Sequence, residues 1–226
     1  MLVATVSGCS TSSAPPTQGS VDVQRLDGAV AGLSAARRPL LAAVDAVQSA
    51  ATALDEADAV CATGEGARAQ TAYSAARPKV LAARKALADL TSGVAGYEKA
   101  LSTLGAELDA GSATVRKALS AVVRDGKAEA AALGRFRTSA GLLWPSYDLL
   151  ASQEQTWITR SLTPWYRSAK EGASAYAILS SHGREELTTA RESLATAAHV
   201  LNVPSAIQSA TLQAADQVLA QQRTAG

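Results

Sequence analysis

The side chains able to do chemistry are few and scattered. The sequence holds two histidines, His182 and His199, and two cysteines, Cys9 and Cys61. Two imidazoles restrict any metal or acid/base scheme severely. The run His182-Gly183-Arg184-Glu185 has a His-x-x-Glu spacing. On an unbroken helix that spacing brings an imidazole and a carboxylate to one face. With a break expected at Gly183, His182 would instead close a helix and complement its dipole. No glutamate stands three residues before either histidine, so the paired Glu-x-x-His motifs of a di-iron bundle are missing. Gly-rich phosphate loops, Gly-x-Ser-x-Gly elbows and His-Glu-x-x-His helices are missing too. Cys9 and Cys61 are too far apart for a zinc pattern or a disulfide framework, and Cys61 reads as a small apolar residue at a helix end. These residues predict neither an enzyme nor a cofactor.

The one departure from bland composition is the window 144–176, where Trp144, Tyr147, Trp157, Trp165, Tyr166 and Tyr176 include all three tryptophans. Rings with a polar edge suit a sugar, a peptide or a partner-protein surface. They also fill gaps where helices bend, and Pro145 and Pro164 share the window. The His182-x-x-Glu185 pair resembles the short metal-binding motif of imelysin-like periplasmic proteins, which are helical. That likeness makes His182 and Glu185 a weak metal candidate and nothing more.

Leu2 to Gly8 are apolar or small and end in Val6-Ser7-Gly8-Cys9, which resembles the lipobox of bacterial lipoproteins. Ser10 to Ser20 hold Ser, Thr, Pro, Gly and Gln with a single Ala and no larger hydrophobic anchor, the composition of a flexible tether. The resemblance implies cleavage before Cys9, a diacylglyceryl group on its thiol and acylation of the new amino terminus. Two or more chains, at about 0.8 kcal/mol per buried methylene, anchor a protein stably. Only eight residues precede Cys9. An export signal needs a charged region and a longer apolar one, which places the true start upstream. The Ala- and Arg-rich composition fits a high-GC bacterium such as an actinomycete. The expected organisation is thus a signal remnant over 1–8, a lipidated cysteine and tether over 9–20, and one domain over 21–226.

That domain reads as all-α. Apolar residues recur at alternating spacings of three and four through Val23, Leu26, Val30, Leu33, Leu40, Val44, Val47 and Leu54, broken only by Arg37. A second seam runs Tyr73, Val80, Leu87, Leu90, Val94, Tyr97, Leu101, Leu104, Leu108. This period keeps a narrow stripe facing a partner helix. A short turn between Cys61 and Gly66, with Gly64 left-handed, folds the two helices back on each other. A third helix begins at the Ser112 cap and carries Val115, Leu119, Val122, Leu133, Phe136, Ala140 and Leu143, with Gly126 and Glu129 on the same face. Asp125-Gly126 is its weak point, and Trp144-Pro145 is expected to end it. Pro39, Pro78, Pro164 and Pro204 fall inside the remaining spans, which predicts an elongated antiparallel bundle of about five proline-bent helical spans. A charge on the seam is costly unless paired: Asp89 or another acid on the second helix could serve Arg37, with the register not fixed by sequence, or Arg37 snorkels to the rim near the Pro39 bend.

With 47% hydrophobic residues the chain can bury a core, but with only 4% aromatics that core must be built of closely approaching helices. A net charge of +1, mixed in sign, argues against a nucleic-acid partner. The expected function is a membrane-anchored envelope lipoprotein whose bundle binds or spaces something, with the membrane, reached through Cys9, and another envelope protein as the expected partners. The alternative is a carrier of a small apolar ligand or metal between bent helices, with His182, Glu185 and Glu186 near its mouth.

Overall fold

The computed structural model describes residues 18–163 and 166–225. The Val6-Ser7-Gly8-Cys9 motif, most of the tether, Pro164 and Trp165 lie outside them. Four α-helices account for nearly all described residues: α1 (Gln18–Cys61), α2 (Gly66–Ala106), α3 (Ala113–Ser161) and α4 (Ala169–Ala225). A single 3-10 turn, Leu108–Ala110, separates α2 from α3. Among the described residues there is no strand. Consecutive helices pack as antiparallel neighbours and α4 closes against α1. At 1.5 Å per residue the helices run about 60 to 85 Å, so the bundle is a rod.

The count is four rather than five because α3 continues through Pro145 to Ser161. Prolines also lie inside α1 (Pro39), α2 (Pro78) and α4 (Pro204). Each removes one amide and frees the carbonyl four residues earlier. Those carbonyls belong to Ala35, Ser74, Gly141 and Val200, all exposed residues. Water can satisfy them, so the helix survives where a buried proline would break it.

The expected breaks at glycine are corrected in the same way. Asp125-Gly126 lies within α3 and Gly183 within α4. Both glycines are buried at helix crossings. A Cβ on Gly183 would stand 3.1 Å from Leu150 Cα and 3.2 Å from its nitrogen, and on Gly126 it would run into Leu101 and Gln208. They are small because another helix comes close, not because the chain turns. The true turn is at Gly64, whose φ is +82°. There a Cβ would meet the Ala173 amide at 2.7 Å, so glycine is required twice over.

The predicted seams form the core. Leu26, Leu33, Leu40, Val47, Leu54, Val80, Leu90, Leu101, Leu104, Leu119, Leu133, Phe136 and Leu143 are all buried in one continuous cluster. The rod has two ends. At the base, Arg25 pairs with Glu107 at 2.7 Å, Arg223 with Asp27 at 3.3 Å, and Ser112 caps α3 by accepting from the Val115 amide. At the tip, the α1–α2 turn meets the start of α4, and a second apolar cluster of Cys61, Ala69, Trp157, Ile158 and Tyr176 closes the bundle. The start of α4 is fixed by Ser168-x-x-Glu171. The Ser168 hydroxyl accepts from the Glu171 amide, and the Glu171 carboxylate accepts from the Arg167 amide.

These packing roles separate two otherwise similar substitutions. Gly134→Ala, with nothing within 4 Å of the added Cβ, should raise stability by about 0.5–1 kcal/mol through helix propensity. Gly183→Ala should lower it by about 1 kcal/mol or more, because α3 and α4 must part. Thermal unfolding of the two variants beside the parent reads both signs; shifts in the same direction would contradict the crossing at Gly183.

Candidate functional site

Two polar layers interrupt the apolar core, one between base and middle and one at the tip. The first collects a residue from every helix. Arg37 of α1 has 11% of its side chain exposed and Glu129 of α3 has 0%. The Arg37 Nε donates to both Glu129 oxygens, at 3.0 and 2.8 Å, and Nη2 donates to Oε1 at 2.8 Å. Nη2 also donates to the Ser205 carbonyl at 2.8 Å and the Ser209 hydroxyl at 2.9 Å on α4. From α2, the Tyr97 hydroxyl donates to Glu129 Oε2 at 2.7 Å. Burial, then the bond to Glu129, pushes the Tyr97 phenol upward. The partner of Arg37 is therefore on the third helix, while Asp89 lies exposed on α2. Both Glu129 oxygens are saturated by donors, which holds the charges in place, although Ser205 Oγ and Gln208 Nε2 beside them are buried with no partner.

The tip layer sets two carboxylates against one phenol. Tyr176 of α4 is wholly buried, Glu154 of α3 is 1% exposed and Asp58 of α1 is 7% exposed. The Tyr176 hydroxyl lies 2.6 Å from Asp58 Oδ1 and 3.2 Å from Glu154 Oε1. Arg184 reaches Asp58 Oδ2 at 3.0 Å, and its guanidinium stands 5.9 Å from the Tyr176 ring centre. Trp157 packs on Tyr176 with centroids 5.2 Å apart and donates from Nε1 to the Gly172 carbonyl at 2.9 Å. Burial, then the Asp58 charge, pushes Glu154 up to about 7, opposed by Tyr176, Arg191 and Arg184. Burial, then Glu154 and Asp58, pushes the Cys61 thiol up to about 12. Cys61 is thus a protonated, weakly nucleophilic thiol, buried and free of any disulfide.

The aromatic window divides. Trp157, Tyr176 and Tyr147 are buried, Tyr166 is half-buried against the tip cluster, and Trp144 is half-buried with the Arg84 guanidinium 5.5 Å from its ring centre. Trp165 lies outside the described residues. His182 and Glu185 stand on the exposed face of α4, where His182 Nε2 is 3.4 Å from Glu186 rather than paired with Glu185. Among the described residues no group of three or more His, Cys, Asp or Glu could hold a metal ion. An open groove of about 630 Å³ runs between α2 and α3 near the base, floored by Leu101, Val123 and Ala130 with Glu98 and Lys127 on its rims.

No protein-family model, curated protein or solved structure matches this chain. The fold and its polar layers define an all-α, four-helix bundle.

Removing one member of the saturated layer strands the other. Arg37→Met should cost about 3–5 kcal/mol, since Glu129 would remain buried with its charge uncompensated. The double variant Arg37→Met/Glu129→Met should recover most of that loss. Urea unfolding of the wild type, both single variants and the double variant closes the cycle. Additive losses would refute the coupling.

Proposed function

We propose that this chain is a cell-envelope lipoprotein, held to the outer face of a bacterial membrane by lipid on Cys9, whose bundle is a non-catalytic spacer or binding module. The observation that carries the reading is the position of α1. It begins at Gln18, nine residues beyond Cys9, at the base of the rod. A tether of that length spans at most about 30 Å. The base is therefore kept near the bilayer while the tip can stand about 60 Å further out. No helix among the described residues is long and apolar enough to cross a membrane. The membrane attachment in this reading is the lipid on Cys9. The tip is the end that a partner in the envelope would reach first.

Growth of cells expressing the natural gene in radiolabelled fatty acid tests the anchor. The wild-type protein should carry label and sediment with membranes, while Cys9→Ala should be unlabelled and released. An unlabelled wild-type protein would overturn the proposal.

A further inference from the structure

The tip layer contains more acceptors than its one phenolic proton can serve. Asp58 and Glu154 approach Tyr176 from two different helices. A phenol donates once. The shorter contact, 2.6 Å to Asp58, takes that proton. The 3.2 Å contact to Glu154 is then a hydrogen bond only when Glu154 itself carries a proton and donates it to the phenol oxygen. The chain reads Glu154 to Tyr176 to Asp58, and Asp58 is ion-paired through its other oxygen with Arg184 at 3.0 Å.

We propose that this chain is a proton-operated latch: one proton on Glu154 fastens α4 to α1 and α3 at the tip, and its loss lets the tip open while the rest of the rod stays closed.

The groups facing Glu154 determine the direction. From α1 come Asp58 and Cys61, from α2 Tyr73, from α3 itself Tyr147, and from α4 Tyr176, Arg184 and Arg191. Of the two cations, Arg184 is bound to Asp58 and Arg191 pairs with Asp55. Neither forms an ion pair with Glu154, although Arg191 Nε is buried without a hydrogen-bond partner, and both arginines only temper the upward push on its carboxyl. When Glu154 ionises, its oxygen faces the phenol oxygen with no proton between them and the Asp58 charge behind. Opening of the tip hydrates both acids and relieves this.

The sign follows from linkage. A carboxyl whose value in the closed state is raised from an ordinary 4.5 to about 7 binds more protons closed than open. Closure is therefore strongest at low pH and weakens as pH rises from 4.5 to 7. The tip is the part built to open. Its apolar cluster is small and separate from the main core, and the α1–α2 turn touches α4 through Gly64 and Gly172. The saturated layer around Glu129 lies nearer the base and lacks this shortage.

Cys61, wholly buried in the tip cluster, reports the opening. The full chain is reacted with a maleimide from pH 5 to pH 8, and Cys61 is followed by peptide mass, which separates it from Cys9. The rate is divided by that of Glu154→Gln, whose amide donates to the phenol at every pH and so mimics the protonated acid. The ratio cancels the thiol's own pH dependence. It should rise roughly 10- to 100-fold between pH 5 and pH 8. A ratio independent of pH would overturn the latch. Amide hydrogen exchange on the wild-type chain, corrected for intrinsic rates, needs no variant. Protection at 58–61 and 172–176 should fall by a similar factor while protection around Tyr97 and Glu129 holds. Uniform protection, or a fall along the whole rod, would overturn it equally.

Discussion

The bidentate contact between Arg37 and Glu129 is the interaction on which the register of this bundle depends. The seams it interrupts are runs of alanine, valine and leucine that would interlock almost as well after a slip of one heptad. A slip of α3 by seven residues would put Val122 or Phe136 opposite Arg37 and bury Glu129 elsewhere without a cation. That cost is several kcal/mol, whereas the apolar cost of the same slip is small. Buried ion pairs add little stability against a well-packed apolar alternative, so the pair is better understood as selecting an arrangement than as strengthening it. Tyr97, Ser205 and Ser209 extend the selection to α2 and α4. Gly126, one turn before Glu129, leaves the space in which Leu101 and Gln208 close around the layer.

A second constraint, satisfied by placement, is the survival of helices of 41 to 57 residues with a proline inside each. An interior proline costs about 3 kcal/mol when its freed carbonyl is stranded. In all four helices that carbonyl belongs to an exposed residue, so water takes the missing donor's place. The ion pairs Arg25–Glu107, Arg84–Asp148, Arg191–Asp55 and Arg223–Asp27 join neighbouring helices along their rims. Each has at least one partner more than a third exposed, so each contributes little singly.

The seams were legible because periodicity is a local property: Leu26 to Leu54 and Val80 to Leu104 announce their buried face without reference to any partner. Register is not local. The isolated charge at Arg37 and the isolated charge at Glu129 both stand out on their seams, yet nothing in one helix says which acid on which helix will face the arginine, and Asp89 is as plausible on spacing as Glu129. Glycine and proline misled for a related reason. Gly126 and Gly183 carry the same residue type as Gly64, but the first two are small for a crossing helix and only the third needs φ above zero. Pro145 was indistinguishable from a terminator until the exposure of Gly141 was known. The tip acids were missed though the signal existed. Carried past Leu54, the first seam passes through Asp58 to Cys61, and carried past Tyr147 the third passes through Glu154 to Trp157. A capping box at Ser168-x-x-Glu171 likewise marks the start of α4 in sequence alone.

The two polar layers differ in a way that composition conceals. Each contains a tyrosine, an arginine and at least one carboxylate inside a bundle of small apolar residues. In the layer near the base, Tyr97 and Arg37 converge on the single carboxylate of Glu129, so donors suffice and no proton is in question. At the tip the ratio is inverted, with Asp58 and Glu154 competing for Tyr176 while Arg184 serves only one of them. A low dielectric strengthens whichever bonds are complete and penalises whichever are not, so the same environment makes one layer rigid and the other responsive. The layer that holds register lies toward the end where the chain enters the fold, and the one that responds lies at the free end. The rod can then change at its tip without losing the alignment of its helices nearer the base.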